Sequence, residues 1–168
     1  AAAKAALQGA NIVIYMGHGN GFPSPYSSTL RPESQDGLGL NPYAGSGDVT
    51  TQYWGESYLA SDVQLAPNAI VLLHHLCYAS GNGEPGMAEP ALSVAQQRVD
   101  NMAAGWLAAG ARSVLGSGEP SRPASVMLRS RTVHTTSSST TRSSPVSLDC
   151  SSSLLSLWLW RARSAAVG

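Results

Sequence analysis

Apolar residues fall into two kinds of pattern along this chain. Ile12 to Met16 and residues 69–76 are unbroken apolar-rich runs of strand length, and residues 113–115 form a shorter one. Runs of this type are expected of strands buried on both faces of a parallel sheet. From Leu92 the period changes. Leu92, Val99, Met102, Ala103, Trp106 and Leu107 recur at helical spacing, Pro90 suits the first turn, and Gly110 ends the run. Residues 1–8 read as helix with Gly9 as the stop, and residues 52–60 as a short helix. Residues 17–48 and 81–86 are rich in Gly, Pro, Ser and Asn and read as loops. The order helix, strand, long loop, strand, helix, strand predicts an α/β fold. Its sheet should be open, mainly parallel and flanked by helices in a Rossmann-like three-layer arrangement. Crossovers in such sheets are right-handed, and ligands bind beyond the carboxyl ends of the strands.

Composition divides the chain. The 168 residues suffice for one domain with a core, which the pattern places in residues 1–119. Residues 120–168 are dominated by Ser, Thr and Arg; beyond Ser121 the only acid is Asp149 and there is no lysine. Apart from Leu154 to Trp160 this stretch lacks core-forming content, and it is expected to be a disordered low-complexity tail, either native or translated out of frame. Ten basic residues balance ten acidic ones, so nothing points to nucleic acid as a partner. The apolar runs are too short to span a bilayer, and membrane insertion is not expected. The chain does not begin with Met and opens as though inside a helix, so an incomplete fragment of something longer is expected. No signal-peptide pattern is read in these residues, and a secreted or cell-surface parent is one option for its localisation. Two cysteines, Cys77 and Cys150, make no disulfide framework.

The candidate chemistry lies at the ends of the two longer strands. "IYMGHGNG" takes the first strand into Gly17, His18 and Gly19, and "IVLLHHLCYASGN" takes the second into Cys77, Ser80 and Gly81. Neighbouring parallel strands run about 5 Å apart, so His18 and Cys77 would share one rim of the sheet. A thiol attacks as thiolate, which a neighbouring imidazole can generate before protonating the leaving amine. The N–H groups of Gly19 and Cys77 are candidate oxyanion donors, because glycine allows close approach. On this reading a bulky residue at position 19 should harm turnover more than folding. Phe22, Tyr26, Trp54, His75 and Ser80 are candidates to wall a substrate pocket. As neighbours in a strand, His74 and His75 should face opposite ways, with His75 on the Cys77 side and His74 under the helices. One of Asp48, Glu56 or Asp62 could orient His18.

The two blocks "VIYMGHGNG" and "LLHHLCYASG" resemble the catalytic blocks of the caspase, metacaspase and gingipain group of cysteine peptidases. In that group one strand ends in His-Gly and a later one in Cys followed shortly by Gly. His18 lies 59 residues before Cys77, near the roughly 50 residues known for caspases. The resemblance covers about Ile12 to Gly116. It implies a caspase-like fold, a His18–Cys77 dyad, a peptide or protein substrate and no cofactor or metal. His75 stands where caspases carry Gln and metacaspases Asp, so the resemblance does not carry a preference for basic substrates to this chain.

Two other classes remain open at this point. A zinc site could be built from His18, His75 and Cys77, a mixed His/Cys ligand set that suits the metal. No HExxH or CxxC motif accompanies it. A non-catalytic caspase-like module of a larger surface protein could instead bind a ligand through the long loop.

Overall fold

The structure is a computed structural model that describes residues 2–43, 50–118, 126–130 and 156–160, the last two segments as backbone. The fold is α/β. Helix α1 (Ala2–Leu7) leads into β1 (Ile12–Met16), a hairpin of β2 (Leu38–Leu40) and β3 (Gln52–Trp54), and α2 (Glu56–Asp62). Strand β4 (Ala69–His74), the long helix α3 (Leu92–Ala108) and β5 (Ala111–Ser117) follow. Two further strands, β6 (Val126–Ser130) and β7 (Ser156–Trp160), complete a five-stranded sheet of order β6-β5-β4-β1-β7.

Its centre is parallel. β1 pairs with β4, Ile12 opposite Ile70 and Met16 opposite His74, and β4 pairs with β5. The register shifts between Ala69 and Ile70, where β5 carries Arg112 as an extra residue. The edge strands β6 and β7 run antiparallel to their neighbours. Both come from the stretch expected to be a low-complexity tail. β7 falls in its apolar segment, and the remainder of that stretch lies outside the described residues.

Burial corrects the expectation of strands covered alike on both faces. Val13, Tyr15, Ala69, Val71, Leu73, Ala111 and Val114 are buried in one cluster with Leu7 of α1, Leu59 of α2, and Met102, Ala103 and Trp106 of α3. The alternate residues face the other way. Ile12 is 37 % and Ile70 45 % exposed, and Ile14, Leu72 and Leu115 are half-buried. Each side chain is apolar on either side of the pleat, so a continuous run could not reveal that burial alternates with the two-residue strand period. The glycine stops were legible: Gly9 (φ 66°) and Gly110 (φ 106°) both take the left-handed conformation that closes a helix.

Candidate functional site

Adjacency of β1 and β4 brings the two motif-bearing strand ends to one rim, and the glycine after His18 touches the cysteine. A Cβ built on Gly19 would lie 2.2 Å from the Cys77 carbonyl oxygen, 3.0 Å from Leu76 Cγ and 3.1 Å from the Cys77 carbonyl carbon. The absence of a side chain at position 19 is therefore what lets the two loops meet. This corrects the expectation that a side chain there would spare folding, because the crowding is against the protein's own backbone.

His18 is half-buried and braced from below. Its carbonyl lies 3.1 Å from the Tyr15 hydroxyl, which donates to Gly39 O at 2.7 Å and accepts from Gly39 N–H at 2.9 Å. Burial holds this phenol well above the ordinary tyrosine range, so it stays a neutral donor. A Cβ on Gly39 would come within 3.2 Å of His18 Cβ, so the hairpin lies directly against the histidine.

Cys77 stands at the second position of a tight turn, with Ala79 N–H donating to Leu76 O at 3.3 Å. Tyr78, at the third position, has φ 71°, the left-handed value that a type II turn requires there. His75 is also left-handed, at φ 51°. Two non-glycine residues in this region thus flank the cysteine, at a cost of about 1–2 kcal/mol each. The half-buried thiol packs against the edge of the core.

The left-handed turn at His75 also ends β4 at His74, two residues earlier than expected, and overturns the expected split of the histidines. Their rings lie together, centroids 4.0 Å apart and tilted by 32°. His74 Nδ1 is 3.0 Å from Ser117 Oγ, which also accepts the His75 N–H at 3.2 Å. Burial, then the neighbouring His75, keeps His74 below the usual histidine range, favouring the neutral ring.

The other candidates scatter. Tyr26 is 66 % exposed and donates to Glu84 Oε2 at 2.7 Å. That bond, Glu84's charge, partial desolvation, and then Cys77 and Tyr53, raise its phenol above the ordinary range. Phe22 is held through its backbone: its N–H donates to Asp36 Oδ1 at 3.2 Å, and its carbonyl accepts from Asn101 Nδ2 at 3.0 Å. Ser80 is buried and hydrogen-bonds to Asn82 Oδ1 at 3.0 Å. Trp54 is on β3 rather than on a helix. It stacks on Tyr58 at 6.2 Å and lines a separate cleft of about 380 Å³ with Lys4, Leu40, Tyr53 and Asp62. Of the acids considered for orienting His18, Asp62 is ion-paired to Lys4 at 2.9 Å and Glu56 opens α2 against Gly105. Asp48 lies outside the described residues. Among the described residues no three His, Cys, Asp or Glu side chains converge to hold a metal ion, so the zinc reading has no ligand set there.

Three residues that build the rim were missed. Arg98, 7 % exposed, donates from Nε to Pro23 O at 2.7 Å and from Nη1 to Asn82 O at 2.9 Å and Gly81 O at 3.4 Å. Its guanidinium sits 4.9 Å from the Tyr78 ring centroid, within cation–π range. Glu84 accepts from both Tyr26 and Tyr78, joining the loop after β1 to the loop after β4. Asp36 is fully buried beneath the His18 loop. The signals were faint: Arg98 occupies the apolar stripe of α3 one residue before Val99, and Asp36-Gly37 reads only as a turn. No family model, curated protein or solved structure matches this chain.

Proposed function

We propose that the chain is the core of a cysteine-type peptidase of the caspase-like kind, with Cys77 as nucleophile and His18 as its base. The observation that carries this reading is the contact of Gly19 with the Cys77 backbone, at the carboxyl ends of neighbouring parallel strands. That rim is where α/β sheets bind ligands. The strained turn presenting Cys77 is a second support, because sparsely populated backbone conformations cluster at functional sites.

In the proposed reaction the His18 imidazole takes the thiol proton and Cys77 Sγ bonds to the scissile carbonyl carbon. The oxyanion is met by the N–H groups of Gly19 and Cys77. As the C–N bond breaks, His18 returns the proton to the leaving amine; water then hydrolyses the thioester, with His18 again as base. On this reading Tyr26 and Phe22, on the loop that follows His18, would border the substrate, and Arg98 and Glu84 hold that loop through their hydrogen bonds to Pro23 and Tyr26.

The test pairs a peptide library with an electrophilic peptide probe. The reading expects cleavage by the wild type, none by Cys77→Ala, and probe attachment at Cys77. Attachment at Cys77 with no peptide cleaved from a broad library would favour the non-catalytic binding module instead.

A further inference from the structure

Asp36 is a carboxylate in a place built for something neutral. Its side chain has no solvent exposure, and its backbone is left-handed at φ 60°. Oδ1 accepts the Phe22 N–H, and the Asp36 N–H donates to Asn20 O at 2.8 Å, so this one residue grips both ends of the Asn20–Phe22 segment. Gly21, at the middle of the segment, is wedged. A Cβ there would lie 2.3 Å from Tyr78 Cβ on one side and 3.3 Å from Asp36 Oδ1 on the other. The segment that leaves His18 is thus clamped between Asp36 and the residue that follows Cys77. Oδ2 is buried with no hydrogen-bond partner among the described residues.

Among the described residues, the charge that acts on this carboxyl does not offset a negative one. Glu56, at the start of α2, faces it with the same sign. Tyr78 is itself buried and held neutral, and Arg98 of α3 stands against the Tyr78 ring. His18 lies two residues ahead of the segment.

We propose that Asp36 is a positioning residue whose neutral carboxylic acid latches the Asn20–Phe22 segment beneath the candidate site, and whose ionisation releases it. Its role toward His18 rests on the peptidase reading; the latch itself does not. Burial above all, and then the charge of Glu56, push the Asp36 carboxyl up to about 7 against the Phe22 N–H bond. The sign follows from linkage. The latched state holds the proton up to about pH 7, whereas an opened, solvated Asp36 releases it near the ordinary 3.8. Opening therefore becomes easier as pH rises from about 4 to about 7 and levels off beyond.

Amide hydrogen exchange at Gly21 and Phe22, corrected for the intrinsic pH dependence of exchange, reads this directly and needs no substrate. In the wild type, protection should fall by a hundredfold or more between pH 4 and pH 7. In Asp36→Asn it should be flat, while Glu56→Gln should keep the fall and move it to lower pH. Protection that changes alike in wild type and Asp36→Asn would overturn the latch. Should Asp36→Asn not fold, the carboxyl carbon of Asp36 can be titrated by NMR in the wild type. A midpoint near 7 accompanied by movement of the Phe22 amide supports the latch, and a midpoint near 4 overturns it. A pH-dependent latch alongside an unreactive Cys77 would sink the peptidase reading and leave the latch standing.

Discussion

Replacing Gly19 with alanine adds one methyl group at the most crowded point of the candidate site. The new carbon would sit 2.2 Å from the Cys77 carbonyl oxygen, and ordinary contact begins near 3.4 Å, so one loop must retreat by about 1 Å. The obstacle is backbone, fixed by the turn from Leu76 to Ala79, and Leu76 Cγ closes the second direction at 3.0 Å. Overpacking of this kind costs about 1–3 kcal/mol, and a rigid obstacle argues for about 3. At roughly 3 °C per kcal/mol for a chain of this size, the midpoint of thermal unfolding should drop by about 10 °C. Gly86→Ala is the matched control. Gly86 is left-handed (φ 83°) with nothing within 4 Å of its Cβ position, so it carries only the conformational penalty of about 1 kcal/mol. Circular dichroism melts of the three proteins test the comparison. Gly19→Ala melting within 2 °C of wild type, or no lower than Gly86→Ala, would refute the claim that the two strand ends abut.

Two further substitutions probe the supports of the rim. Arg98→Ala leaves the carbonyls of Pro23, Gly81 and Asn82 without their cationic donor and should cost about 2–4 kcal/mol; protease cuts in residues 22–30 and 81–86 should appear before global unfolding, and an uncut, equally stable protein would contradict this. Ser117→Ala removes the hydroxyl that accepts the His75 N–H and pairs with His74 Nδ1, at a cost of about 1 kcal/mol, and the NMR titration of His74 should move; an unchanged titration would show that this bond does not hold the ring.

What the sequence made legible was whatever repeats over several residues or ends on glycine. β1 was bounded to the residue, and α3 could be followed from its stripe to Gly110. Alternation with helices pointed to a parallel sheet, in which His18 and Cys77 share one rim if β1 and β4 are neighbours; the pairing of β1 with β4 meets that condition. The β2–β3 hairpin was missed because Leu38–Leu40 and Gln52–Trp54 are three residues each, too short to show a period, and Trp54 was drawn into a helix that begins only at Glu56. His75 was misjudged for a different reason. Its left-handed backbone comes from the turn around Cys77 and leaves no trace in an apolar run. The bonds from Asp36 to Phe22, Glu84 to Tyr26 and Arg98 to Pro23 reach across 14, 58 and 75 residues of sequence, and contacts of that range belong to the tertiary structure.

The most direct measurement is the rate of Cys77 alkylation by iodoacetamide as a function of pH, in wild type and in His18→Ala of unchanged melting temperature. If His18 is the base beside the thiol, wild-type Cys77 should react near neutral pH at least tenfold faster than an unperturbed thiol, whose pKa lies near 8.5. His18→Ala should return the profile to that ordinary value. Superimposable pH–rate curves for the two proteins would contradict the dyad.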